Sequence, residues 1–215
     1  MQFTHVLFDM DGTLVDSMGY WDDVCGEWLR SAGLYSEELF DILKPMTLPQ
    51  TAEYLESNFN MSVPLDEVVQ RMYSIMQVHY EKDVELKAGV RSFLDEMQKK
   101  GVRMCVVSST HRSLVELCLK RHNLTDYFEF VLSAEEVGKG KTDPDIYLEA
   151  AKRLGAEPQN CLVFEDAMAA GLTARRAGFL TAAIYDDNSD AAWDAFRTQT
   201  DLAFRDWDEA RKMLR

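Results

Sequence analysis

Five short apolar runs recur along the chain, each the length of one strand: residues 3–8, 102–107, 129–132, 161–164 and 180–184. Helical patterns lie between most of them. Residues 90–100 precede the second run and 114–121 follow it; 144–154 precede the fourth and 167–177 follow it. Strands alternating with helices of this length specify parallel βαβ units, hence an α/β fold with a buried sheet. Gly101, Gly155 and Gly178 stand where left-handed helix ends are expected.

Residues 18–83 break this rhythm. They read as helices only, over 18–31, 37–43, 50–58 and 65–80. An all-α insertion after the first strand is expected to form a cap domain of residues 18–83 over a core of residues 1–17 and 84–215. The two junctions, near 16–19 and 84–89, are adjacent and would let the cap hinge over the sheet. A final helix is expected over 207–214. The chain is long enough for one sizeable core plus a small accessory unit.

The net charge of −14 argues against nucleic acid or an anionic membrane as partner. Cys25, Cys105, Cys118 and Cys161 form no C-x-x-C pair, so free thiols in a reducing compartment are expected rather than a disulfide framework or zinc site. No apolar run approaches membrane-spanning length. The opening strand leaves no room for a secretory leader, and a cytoplasmic monomer or weak dimer is expected. The sequons Asn60-Met61-Ser62 and Asn123-Leu124-Thr125 then read as chance matches.

Open parallel sheets bind ligands beyond the carboxyl ends of their strands. Asp9 and Asp11 follow the first run, two apart and so on one face of the chain. Two such anions repel unless one is protonated or a cation lies between them. Ser108, Ser109 and Thr110 follow the second run, Gly138-Lys139-Gly140-Lys141-Thr142 precedes the helix beginning at Pro144, and Glu165 and Asp166 follow the fourth run. Each set has a plain structural alternative: an Asp-Gly turn, a helix N-cap, a solvated loop, an acidic helix start. Gly140-Lys141-Thr142 resembles the end of a P-loop, but Glu135 stands where that motif needs glycine.

Together the four sets suit phosphoryl transfer. One carboxylate can attack phosphorus, and a second can protonate the leaving oxygen and then activate water. A hydroxyl and a lysine can hold the non-bridging oxygens. A hard divalent cation such as Mg²⁺ can neutralise the clustered anions, which would supply the local positive field that the overall charge does not.

The order Asp9-x-Asp11-Gly12-Thr13, Val106-Val107-Ser108, Lys141 ahead of Pro144-Asp145, then Phe164-Glu165-Asp166 resembles the haloacid-dehalogenase superfamily over the whole chain. The resemblance implies a Rossmann-like doubly wound parallel sheet with an inserted all-α helical cap. It implies Asp9 as nucleophile, Asp11 as general acid/base, and Ser108 and Lys141 as phosphate-holding groups, with Lys139 the alternative lysine. It implies Mg²⁺ held by the Asp9 side chain, the Asp11 backbone carbonyl and Asp166, with Glu165 a further candidate ligand.

Dehalogenases of that superfamily lack the second aspartate, so Asp11 favours phosphoryl chemistry. The branch most resembled contains β-phosphoglucomutase and sugar-phosphate phosphatases. A mutase also holds a second phosphate with cap cations. In the stretch 45–50, Leu48 stands where the mutase arginine would align; Trp21 stands at the cap histidine, and no lysine falls near 75–79. The implied activity is a phosphatase acting on a small phosphomonoester, a sugar phosphate or similar metabolite, with a sugar phosphomutase or a non-catalytic ligand-binding member as alternatives. Expected substrate contacts are Ser109, Thr110, Tyr20, Trp21, Thr47 and Arg112, with His111 nearby. Trp21 can equally fill the cap core beside Trp28.

Overall fold

The computed structural model describes residues 3–43, 46–59 and 64–214. Pro45 and the sequon at 60–62 lie outside the described residues. Six strands, β1 His5–Phe8, β2 Arg103–Ser108, β3 Val131–Ser133, β4 Cys161–Glu165, β5 Leu180–Ile184 and β6 Leu202–Phe204, form one parallel sheet in the order β3-β2-β1-β4-β5-β6. β1 is central: His5 is in register with Arg103 on one side and Cys161 on the other. The chain works outward from β1 to β3, then returns to β4 and works outward on the other flank. That reversal opens a crevice at the carboxyl ends of β1 and β4.

The central strands are apolar on both faces because both are covered. The insertion comprises α1 Met18–Ser31, α2 Glu37–Leu43, α3 Leu48–Asn58 and α4 Leu65–Lys82. The rest of the chain adds α5 Val90–Lys99, α6 Arg112–Arg121, the single turn α7 Ala134–Val137, α8 Asp145–Leu154, α9 Met168–Arg176, α10 Asp190–Arg197 and α11 Trp207–Met213. α5, α6 and α11 bury Val6 and Phe8 on one face; α8 and α9 bury Leu7 and Cys105 on the other. Phe8 and Phe164 stack with centroids 5.4 Å apart, and Trp207 lies 4.8 Å from both Phe93 and Phe164. The Trp207 indole N–H donates to the Thr13 carbonyl at 3.0 Å, so this aromatic cluster also pins the loop that follows β1.

The insertion has its own small core of Leu29, Leu39, Leu43, Leu55 and Leu65. α4 serves both units: Leu65 joins the insertion, while Met76 and Tyr80 are buried in the main core and the helix packs along α6. The two connections run side by side. Val15 bridges Leu86 antiparallel, Asp16 N–H donates to the Glu85 carbonyl at 2.9 Å, and Lys87 N–H donates to the Leu14 carbonyl at 3.0 Å.

Most elements lie within a few residues of their expected positions, and Gly101, Gly155 and Gly178 all take positive φ. The run expected at 129–132 is in register with β2 from Val106↔Val131, and its first two residues already bond to that strand: Glu129 N–H donates to the Met104 carbonyl at 2.9 Å and Val106 N–H to the Phe130 carbonyl at 3.1 Å. β6 carries no sequence signal of its own, being three residues at a sheet edge. The four cysteines are free.

Trp207→Ala is expected to lower unfolding stability by about 3–5 kcal/mol in urea titration, through lost packing in the aromatic cluster. Trp207→Phe should cost less, about 1–2 kcal/mol, mainly for the stranded Thr13 carbonyl.

Candidate active site

Asp9 is the first residue beyond β1, and its backbone N–H donates to the Phe164 carbonyl at 3.0 Å. That bond ties the end of β1 to β4 and sets Asp9 beside Glu165 and Asp166. Lys141 Nζ donates to Asp9 Oδ1 and, at 2.7 Å, to Glu165 Oε1. Glu165 Oε1 also accepts from the Tyr147 hydroxyl at 2.7 Å. Asp166 receives only long contacts, 3.4 Å from the hydroxyls of Thr13 and Ser189. All four charged groups are buried, none more than 5% exposed.

Two carboxylates therefore share one buried ammonium, with a third, Asp166, beside them. Burial pushes the Asp166 carboxyl well up, and Asp9, Glu165 and Asp186 add to it. Burial also raises Asp9, against the pull of Lys141, and raises Glu165 to about 7. Burial alone would lower the Lys141 ammonium; Asp9 and Glu165 outweigh it and hold the group above its ordinary value.

The donor set fits a hard divalent cation. Oxygens of Asp9, Glu165 and Asp166 lie within 4.8 Å of one another, and the buried Asp9 Oδ2 has no hydrogen-bond partner. Gly12 makes the approach of Asp166 possible. Its φ is +81°, and a Cβ there would stand 2.4 Å from Asp166 Oδ2.

Asp11 lines the same cavity, held by three hydroxyls. Ser17 donates to Oδ1 at 2.6 Å, Tyr80 also donates to Oδ1, and Thr110 donates to Oδ2 at 2.8 Å. The Tyr80 hydroxyl in turn accepts from the Trp21 indole N–H at 2.9 Å. Ser108 ends β2, and its Oγ accepts from the Thr110 backbone N–H at 3.0 Å. Ser108, Ser109 and Thr110 line the cavity and do not cap a helix: His111 caps α6, accepting from Ser113 N–H. Glu165 ends β4, and α9 starts only at Met168, so neither acid is a helix start.

The lysines divide. Lys139 is exposed and paired with Asp145 at 3.1 Å, whereas Lys141 is the buried one. Trp21 and Thr47 line the cavity. Tyr20 and Arg112, expected at the substrate, do not. The α1 residues that face the cavity are Met18, Trp21, Asp22, Cys25, Trp28 and Leu29. This is one helical stripe, and Tyr20 falls off it, its ring 4.5 Å from that of His79. Arg112 is taken up by Glu116 at 2.7 Å and Glu136 at 3.5 Å. His111 lies 5.6 Å ring to ring from Tyr73, also outside the lining.

Tyr80, Ser17 and Tyr147 are the site residues that sequence reasoning missed. Tyr80 shares an i, i+4, i+8 stripe with Met72 and Met76, a pattern indistinguishable from core.

A model of the haloacid dehalogenase-like hydrolases matches residues 6–184. The chain belongs to that family. Hexitol phosphatase B of Escherichia coli is 29% identical over 78% of this chain and 77% of its own. The bifunctional riboflavin kinase/FMN phosphatase of Arabidopsis thaliana is 28% identical over 80% of this chain, which spans only 46% of that longer protein. The CbbY protein of Rhodobacter sphaeroides, solved with xylulose-1,5-bisphosphate, superposes with a TM-score of 0.82 over 97% of this chain and 96% of its own. At 18% identity that likeness establishes the shared fold of this hydrolase, a haloacid dehalogenase-like sheet with a helical cap.

Two measurements check the site. Tyr80→Phe removes one of three hydroxyls on Asp11 and is expected to lower kcat about tenfold in steady-state assays. In metal-free protein the buried carboxyls bind protons more tightly folded than unfolded, so their contribution to stability is present at acid pH and lost as pH rises from about 4 to about 7. The melting temperature of chelator-treated protein should therefore fall across that window, more steeply than that of Asp166→Asn.

Proposed function

We propose that the chain is a Mg²⁺-dependent phosphatase that hydrolyses a small phosphomonoester through an aspartyl-phosphate on Asp9. The observation that carries this reading is the buried Asp9–Lys141–Glu165–Asp166 cluster, with one Asp9 oxygen unpartnered and Asp11 held in the same cavity. The relatives named as phosphatases support it. We further propose residues 18–83 as the cap and residues 1–17 and 84–215 as the core.

An Asp9 carboxylate oxygen attacks phosphorus, and the bond from phosphorus to the leaving oxygen breaks as Asp11 delivers a proton to it. Asp11, now a carboxylate, takes a proton from water as that water attacks the acyl phosphate, and free Asp9 and inorganic phosphate result. Lys141 and the Ser108 hydroxyl hold the non-bridging oxygens. Asp9, Asp166 and the Asp11 carbonyl would hold Mg²⁺. Glu165 is the less available oxygen donor, since it already accepts from Lys141 and Tyr147. When bound, the ion supplies positive charge to the nucleophile and the phosphoryl group. The three hydroxyls on Asp11 keep it in place between the two half-reactions.

The lining supports a single-phosphate substrate. Among the described residues around the cavity, Lys141 is the only cation, and Leu48, Trp21 and Thr47 stand on the cap side. A mutase needs a second phosphate subsite, and the described lining residues on the cap side offer no cation for one.

Asp9→Asn is expected to abolish hydrolysis of p-nitrophenyl phosphate, by about a thousandfold or more, with the thermal melt retained. EDTA should silence the wild type and Mg²⁺ restore it. Accumulation of an isomerised sugar phosphate, in place of free inorganic phosphate, would show a mutase instead.

A further inference from the structure

The cavity has two ends of opposite chemistry. The charged residues described above lie at the sheet. The far wall, on the cap, is built from Trp21, Cys25, Trp28, Phe40, Met46 and Met72. The polar handles on that wall are largely taken up by the protein itself. The Trp21 indole N–H donates to Tyr80, and the Tyr73 hydroxyl donates to Glu135 across the cap–core seam. The Thr47 hydroxyl accepts from Gln50 N–H at 3.3 Å and donates to Gln50 Oε1 at 3.2 Å, and the Thr47 backbone N–H donates to the same Oε1 at 3.0 Å, completing a capping box at the start of α3. Burial holds the Cys25 thiol up at about 12, so it stays a neutral, weakly polar group. Among the described residues that side also carries Asp22, whose charge opposes a second phosphate, Thr51 and the Trp28 indole.

We infer that the alcohol released from the phosphomonoester is apolar, a short alkyl or aryl group, and not a polyol. The inference rests on the phosphatase reading and narrows it to a substrate class. A polyol buried against this wall would leave most of its hydroxyls without partners, and unpaired buried hydroxyls are strongly disfavoured. An alkyl or aryl group gains from the same wall by leaving water. The cavity holds about 200 Å³. An apolar cavity of about 150 Å³ already admits benzene, so there is room for the phosphoryl group and a leaving group near phenyl size.

The test is a kinetic series on the Mg²⁺-loaded wild type: methyl to hexyl phosphate, phenyl phosphate, a hexose phosphate and a hexose bisphosphate. The kcat/KM is expected to rise about fourfold for each added methylene until the wall is filled. Phenyl phosphate should exceed the hexose phosphate by about a hundredfold, with the bisphosphate poorest. A flat alkyl series, or a hexose phosphate as the better substrate, overturns the inference and leaves the phosphatase reading standing. No hydrolysis of any ester overturns both. In the same series Trp28→Ala and Phe40→Ala should lose more kcat/KM on hexyl than on methyl phosphate. Equal losses on both esters would place these side chains in cap stability and count against the inference.

Discussion

The structure of the site depends on one buried contact set, Lys141 between Asp9 and Glu165. Moving an ammonium and two carboxylates out of water is expensive, and the pairing repays it only when geometry and further hydrogen bonds are good. Tyr147 supplies one such bond to Glu165. The set still carries one more negative charge than positive, and Asp166 adds another. A fold that aimed only at stability would not gather these groups. The excess of buried carboxylate, expressed in the raised Asp166 and Glu165, makes sense as a standing demand for a cation.

The sheet meets that demand through register. Phe8 lies opposite Phe164, so the residues just beyond them, Asp9 and Glu165, emerge side by side. Phe8 and Phe164 also stack on each other below the site, with Trp207 against Phe164 and bonded to the Thr13 carbonyl. The same aromatic cluster thus holds the core together and fixes the loop carrying Asp9 and Asp11. Gly12 lets Asp166 close over that loop without a Cβ in the way.

Much of this was legible because it follows from local rules. Apolar runs locate β1, β2, β4 and β5, and ligand groups in such sheets sit just after strands. Asp9, Asp11, Ser108, Glu165 and Asp166 could therefore be named from position alone. Lys141 could be named as one of two lysines, but only burial separates it from Lys139. The rest depends on long-range packing. Tyr80 lies 69 residues from Asp11 in sequence and looks like core until α4 is laid against the sheet edge. Tyr20 and Arg112 are adjacent in sequence to cavity-side or rim residues but turn elsewhere, one by helical phase and one by ion pairing. β6 is too short to announce itself and exists because β5 offers it an edge.

α4 links the helical insertion to the main core. Its C-terminal half is fixed, with Met76 and Tyr80 in the main core and Tyr80 bonded to Asp11. Tyr73 lies seven residues earlier, about 10 Å along the helix axis, and reaches across the seam to Glu135. The paired linkers at Val15 and Leu86 lie next to the fixed end. Tyr80 and Tyr73 thus tie the helical insertion to the core at two points along one helix, the first at Asp11 and the second at Glu135.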